Sequence, residues 1–318
     1  MRHINIITAD NNSGLSRDAA ILATILKQAK FKVTFFDINS LTRDDQGQPI
    51  NSGFPKTPIY DINLFLEHVV PPLFPCAKLN CLIPNQEWFW QEWLPDLPHF
   101  DYILCKTRFA KRIFDKLECR TEFISFTSFD CLDETQTKTY NKLLHLAGKS
   151  PQKGTNAIIE IWQRNLGFPH LTIRRNWQEP DLIEAANIEY ITKYLDNTVL
   201  RDYQNSYGVH LCPSEAEGFG HGIVEAMSCR SVILTTNAPP MNELITPDRG
   251  ILVDCNTAQV QGVGINYYVD RQALEEKIHQ VLGMDDVTKK QWGDNARAWY
   301  EDNDAFFRHR IVNFLKEI

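Results

Sequence analysis

The chain has 318 residues, more than one compact core usually organises and enough for two domains. Hydrophobic residues make up 43% and charged residues 23%, a globular balance that argues against a disordered chain. Lys and Arg total 33 against 40 Asp and Glu, and the resulting net charge of −7 argues against nucleic acid as a partner while leaving room for a local basic pocket.

Eight cysteines are scattered without a C-x-x-C pair, and several sit in apolar runs. Buried thiols in a reducing compartment fit this better than a disulfide framework. The first residues lack the apolar core of a secretory leader, and no stretch approaches the roughly 20 apolar residues of a membrane span. A soluble, cytoplasmic protein is expected.

In chain order, residues 3–8 read as a buried strand, 15–29 as a helix and 32–38 as a second strand. Leu15, Ala19, Leu22, Ala23 and Leu26 have the spacing of one helix face. The stretch 40–58 is rich in turn residues and reads as loop. Strands are expected at 63–66, 79–83, 101–105 and 121–125, with a helix over 108–117. The polar segment 130–138 reads as a linker. A second series follows: strands at 142–147, 170–174, 209–212, 231–235 and 250–253, helices at 155–164 and 197–205, and another starting near 221. From Asp270 the chain reads as helical almost to its end. This alternation predicts two α/β halves with parallel sheets, and a ligand crevice at the carboxyl ends of the strands.

The most informative stretch is Cys212-Pro213-Ser214-Glu215-Ala216-Glu217-Gly218-Phe219-Gly220-His221-Gly222-Ile223-Val224-Glu225-Ala226-Met227. It passes from a strand through a glycine-rich turn into a helix. Its glycines allow close backbone approach to a ligand, and free N–H groups at a helix start favour an anion. Two carboxylates flanking such a site suit sugar hydroxyls better than phosphate. A ribose–diphosphate–hexose has that shape.

This segment resembles the retaining GT-B glycosyltransferases, whose signature has two glutamates with seven residues between them, the first in E-G-F-G and the second in E-A-M. Glu217 and Glu225 match, as do Gly218, Phe219, Gly220, Ala226 and Met227. The resemblance implies two Rossmann-like α/β domains with parallel sheets facing across a cleft. Residues 1–138 would form the acceptor-side domain and 139–298 the nucleotide-sugar domain, with a helix over 299–318 returning to the first. It also implies that Glu217 contacts the transferred sugar and Glu225 the ribose.

Residues 147–154, Ala-Gly-Lys-Ser-Pro-Gln-Lys-Gly, resemble the family's diphosphate clamp, with Lys149 in place of the usual arginine. Lys153 is the stronger candidate for the β-phosphate. His221 could donate to a phosphate or hydroxyl, and Phe219 and Gly220 complete the donor set. Glu243 keeps the register of a family glutamate, although a cap at a helix start serves equally well. Arg230 stands where the family usually has glycine, for no reason visible in the sequence.

The N-terminal half carries less signal. Gly14, in Asn12-Ser13-Gly14, resembles the family's glycine-rich loop near the diphosphate. The expected histidine is absent from residues 83–88, where Asn85 and Glu87 are candidates for acceptor binding. Trp88, Trp90 and Trp93 are expected to be core rather than a sugar platform. The basic stripe Arg108, Lys111, Arg112 and Lys116 reads as a solvated face in preference to a peripheral membrane contact. His210 reads as a core histidine.

The implied reaction transfers a sugar from a UDP- or GDP-sugar to the hydroxyl of a glycan or lipid-linked acceptor, with retention and without metal or other cofactor. Lysines and a helix start would stabilise the leaving diphosphate. The alternatives are a nucleotide-sugar-binding protein without catalysis and a glycosyltransferase acting on modified nucleic-acid bases.

Overall fold

The computed structural model describes residues 1–11, 14–41, 53–175 and 185–318. The chain divides into two compact units. The first comprises Met1–Phe126, Gln261–Gly264 and Ala305–Ile318; the second comprises Thr127–Val260 and Ile265–Asp304.

The first unit contains β1 (His3–Thr8), α1 (Gly14–Gln28), β2 (Lys32–Asp37), β3 (Tyr60–Leu66), β4 (Ala77–Ile83), β5 (Tyr102–Cys105), α2 (Arg108–Lys116) and β6 (Thr121–Phe123). Its six strands form a parallel sheet in the order β2-β1-β3-β4-β5-β6. In β1, Ile4, Ile6 and Ile7 are all fully buried, although they lie on both faces of the strand. A central parallel strand covered on both sides has this character. The spaced apolar residues of α1 are all buried, as their periodicity predicts. Thr107 caps α2 by accepting from the Ala110 N–H, which turns Phe109, Ala110 and Phe114 inward. On its polar face Arg108 lies over the Phe123 ring, and Lys111 pairs with Asp115 at 2.9 Å.

The tryptophans do not behave as expected. Phe89 is fully buried, Trp90 is 44% exposed, and Trp88 and Trp93 are half-buried. Short 3-10 turns over 86–88 and 91–99 replace a regular element and point the smaller ring inward.

The second unit runs β7 (Thr139–Gly148), α3 (Thr155–Arg164), β8 (Leu171–Arg175), β9 (Ile188–Ile191), α4 (Asn197–Ser206), β10 (Tyr207–Cys212), α5 (His221–Ser228), β11 (Val232–Thr236), α6 (Met241–Leu244) and β12 (Gly250–Val253). The chain continues through β13 (Cys255–Gln261), β14 (Gly264–Val269), α7 (Arg271–Gly283) and α8 (Asp286–Glu317), of which residues 261–264 and 305–317 belong to the first unit. Met284 and Asp285 separate the last two helices, and Asp285 caps α8 by accepting from the Thr288 N–H at 2.9 Å. The sheet is parallel, in the order β12-β11-β10-β7-β8-β9. β13 and β14 pair as a separate ribbon. The core packs Trp162, Ile158 and Ile161 of α3 with Leu274 and Ile278 of α7 and strand residues such as Leu143 and Val209.

From β7 the chain winds one way through β8 and β9, then returns to β10 on the other side. The switch point is therefore between β7 and β10, and ligand crevices in such sheets open beyond the carboxyl ends at that point. No helix among the described residues is long and apolar enough to cross a membrane.

Candidate functional site

Two turns occupy that switch point. The first, residues 149–154, leaves β7 and enters α3. The second, residues 213–220, leaves β10 and enters α5. Backbone geometry locks them together. The Glu215 N–H donates to the Gln152 carbonyl at 2.9 Å, and the Tyr267 N–H of β14 donates to the Glu215 carbonyl at 2.7 Å. Gly154 is left-handed at φ 67°, and a Cβ there would collide with the Pro213 carbonyl oxygen. Only glycine fits that contact without strain. Gly220 begins α5 at φ 109°, where a Cβ would lie 2.7 Å from Leu244 Cδ1. Gly222 has open space around it and carries no such requirement.

The side chains converge on a shared carboxylate. Lys153 Nζ donates to Glu217 Oε1, and Ser214 Oγ donates to the same oxygen at 2.7 Å. Glu217 is 8% exposed. Glu225, in α5, is buried and accepts from Gln204 Nε2 of α4 at 3.1 Å. Phe219 is buried with its ring edge-on to His221, whose Nδ1 lies 2.7 Å from Ser128 Oγ. Lys149 is exposed at the start of the first turn. The second unit thus pairs Lys153 with Glu217 and Phe219 with His221, while Glu225 bonds to Gln204 of α4 and Lys149 lies exposed at the start of the first turn.

One participant was not singled out from the sequence. His145 lies fully buried on β7, with Nδ1 2.7 Å from the Leu211 carbonyl and Nε2 2.9 Å from Thr155 Oγ1. A carbonyl can only accept, so Nδ1 carries the proton and Nε2 accepts from the threonine. Burial lowers its pKa to about 4. The neutral ring ties β7, β10 and the first residue of α3 together just behind Lys153. A polar residue inside an apolar strand was the available signal. His210 is likewise buried, its pKa lowered to about 3 by burial, and its Nε2 has no hydrogen-bond partner among the described residues.

The remaining candidates belong to the first unit. Gly14 opens α1, while Asn12 and Ser13 lie outside the described residues, as does most of the expected 40–58 loop. Asn85 donates to Glu67 Oε2 at 2.6 Å, and Glu87 is buried. Burial raises the Glu67 pKa, and that residue is left-handed at φ 65° just after β3. Beside this group Lys106 and Asp18 pair at 2.8 Å, each side chain only 3% exposed.

The structure explains Arg230. It follows α5 in a left-handed conformation, φ 58°, and the Ser231 N–H closes the helix end on the Ala226 carbonyl at 3.1 Å. Glycine is the usual residue at such a helix terminus. The Arg230 side chain reaches Glu134 at 3.5 Å and Asp294 at 3.8 Å, at the end of α5 opposite Gly220. Glu243 is half-buried in the first turn of α6. Among the described residues, no group of three or more His, Cys, Asp or Glu side chains could hold a metal ion.

Residues 178–299 match the family described as Glycosyl transferases group 1. A 156-residue segment is 26% identical to O-antigen chain mannosyltransferase B of Escherichia coli, covering 44% of this chain and 41% of that protein. The matched segment thus spans less than half of that relative. Among solved structures, HepE of Anabaena in complex with UDP-glucose has a TM-score of 0.72 at 15% identity, with 100% of both chains covered. Sucrose-phosphate synthase of Thermosynechococcus elongatus has a TM-score of 0.70 at 12% identity, covering 100% of this chain and 99% of that one. With its two parallel α/β sheets the chain has the GT-B fold, and the stretch that matches the group 1 glycosyltransferases lies almost entirely in its second unit.

Proposed function

We propose that this chain is a retaining glycosyltransferase that moves a sugar from a nucleoside diphosphate donor to a hydroxyl acceptor. The observation that carries this reading is the Lys153–Glu217–Ser214 constellation, at the carboxyl end of the β7/β10 switch point and before the start of α5. In the free protein the carboxylate holds the lysine. An arriving diphosphate takes over Lys153, and Glu217, still anchored by Ser214, accepts from a sugar hydroxyl. Glu225 accepts from the ribose, and Lys149, His221 and the first N–H groups of α5 complete the cradle.

The difficult event is departure of the nucleoside diphosphate, which gathers negative charge. A charged hydrogen bond contributes about 1.5–3 kcal/mol and a helix start about 0.3–1. Two lysines and α5 therefore supply several of the ~8–23 kcal/mol by which enzymes lower barriers. These cations serve in place of a metal, and the leaving phosphate takes the acceptor's proton on the face where the new bond forms. Asn85 and Glu87 are proposed on the acceptor side, for a glycan or lipid-linked hydroxyl.

The likeness to a structure holding UDP-glucose supports UDP-sugars as the first donors to test. Thermal-shift screening of UDP- and GDP-sugars should show one donor that stabilises the protein, and proton NMR of the product should show the donor's anomeric configuration kept. Absence of any stabilising donor, or an inverted anomer, would overturn the reading. Arg230 sits at the end of α5 opposite Gly220 and reaches Glu134 and Asp294, so its departure from glycine does not favour a binding protein without catalysis over an enzyme.

A further inference from the structure

The second unit has a cavity of about 720 Å³ that shares no residue with the donor site. It opens where residues 138–141, at the start of β7, meet the 167–169 turn before β8, the end of α7 and the first turn of α8. Its size is that of small-ligand pockets, about 300–1,000 Å³. Since β7 has ten residues rising about 3.3 Å each, this edge of the sheet lies roughly 30 Å from the lysine turn at its other end.

The chemistry of its wall is unequal. Lys289 lines the cavity and is only 4% exposed. A buried lysine is normally paired. Its ion-pair partner is Asp286, whose carboxylate is 76% exposed and 3.7 Å away, beyond hydrogen-bonding reach. Among the described residues the Lys289 ammonium has no acceptor within bonding distance. Lys138 lines the same cavity, and it donates to the Asn205 carbonyl at 2.7 Å and Ser231 Oγ at 3.2 Å, leaving one N–H over. Opposite polarity comes from Tyr140 and Phe168, half-buried rings that pack on the domain core.

We propose that this cavity binds a small ring-bearing organic phosphate, its phosphate oxygens accepting from Lys289 and Lys138 and its ring lying against Tyr140 and Phe168. Three acceptor oxygens and a double negative charge match two ammonium groups better than a single carboxylate does. The apolar wall asks for a body as well as an anion, which separates this site from a plain phosphate site. Asp286 swings clear at low cost, because it is exposed.

Isothermal titration of the intact protein with phenyl phosphate tests this. Wild type should bind it, with phenol and inorganic phosphate each about tenfold weaker or more. Lys289→Met should weaken phenyl phosphate about tenfold or more, and Lys153→Ala, in the donor site, should leave its affinity unchanged. Amide NMR shifts on adding phenyl phosphate should fall at Tyr140, Phe168 and Lys289 rather than at residues 217–225, which settles the matter even where Lys289→Met folds poorly. No binding by wild type, equal binding by Lys289→Met, loss of binding in Lys153→Ala, or shifts confined to residues 217–225 would each overturn it.

Discussion

Each unit sets a lysine–carboxylate pair beyond its strands, and the two pairs differ in one respect. Lys106 and Asp18, in the first unit, are each 3% exposed and lie 2.8 Å apart. The side chains of Lys153 and Glu217, in the second, are 23% and 10% exposed, and Glu217 is held by a third group, Ser214. A sealed pair cannot exchange partners without stranding a charge, whereas a half-open pair can hand its lysine to an incoming anion. Burial, rather than residue type, therefore distinguishes a structural ion pair from one available for chemistry.

The largest expected effect is on the sealed pair. Asp18→Ala leaves Lys106 buried without its carboxylate and should cost about 3–5 kcal/mol in urea unfolding. A loss below about 1 kcal/mol would remove the contrast. Next come Lys153→Ala and Glu217→Ala, each expected to lower sugar transfer about 10²–10³-fold, on the scale of one lost transition-state donor. Their melting temperatures should stay close to wild type, as checked by calorimetry.

A pH series sharpens the account of what holds the lysine turn. His145 has its folded pKa lowered from 6.5 to about 4, so the unfolded chain binds the proton first. Its contribution is complete above about pH 6.5 and should fade as pH drops toward 4, by up to a few kcal/mol at about 1.4 per unit. His145→Gln should flatten that part of the stability profile in chemical denaturation. His210, lowered the same way, contributes a parallel slope that remains in the variant. Gly154→Ala, forced against the Pro213 carbonyl in a left-handed backbone, should cost about 1–2 kcal/mol and displace Lys153. Calorimetry and a transfer assay on this variant should fall together. The smallest effect belongs to Arg230→Gly, where relief of the left-handed backbone offsets two exposed ion pairs, for a net change within about 1 kcal/mol.

Much of this was legible because apolar periodicity survives in the sequence. The run Ile4–Asn5–Ile6–Ile7 announces a doubly covered strand, and Leu15, Ala19, Leu22 and Leu26 announce α1. The turns 149–154 and 213–220 stood out through residue types whose spacing has a chemical reason. What failed to show lacked a local signature. β13 reads Cys-Asn-Thr-Ala-Gln-Val-Gln, mostly exposed and without alternation, so its pairing with β14 leaves no apolar trace. The tryptophans misled because bulk suggested burial, while two 3-10 turns decided which ring faces inward. Arg230 was opaque because a residue name does not reveal a left-handed backbone. His145 shows locally only as a polar residue in an apolar strand, and its role depends on partners 66 and 10 positions away.

β7 starts among the cavity residues and ends where the lysine turn begins, so a single strand underlies both places. An occupant of the cavity that changed the donor's grip by some factor would, by thermodynamic necessity, have its own grip changed by the donor to the same degree.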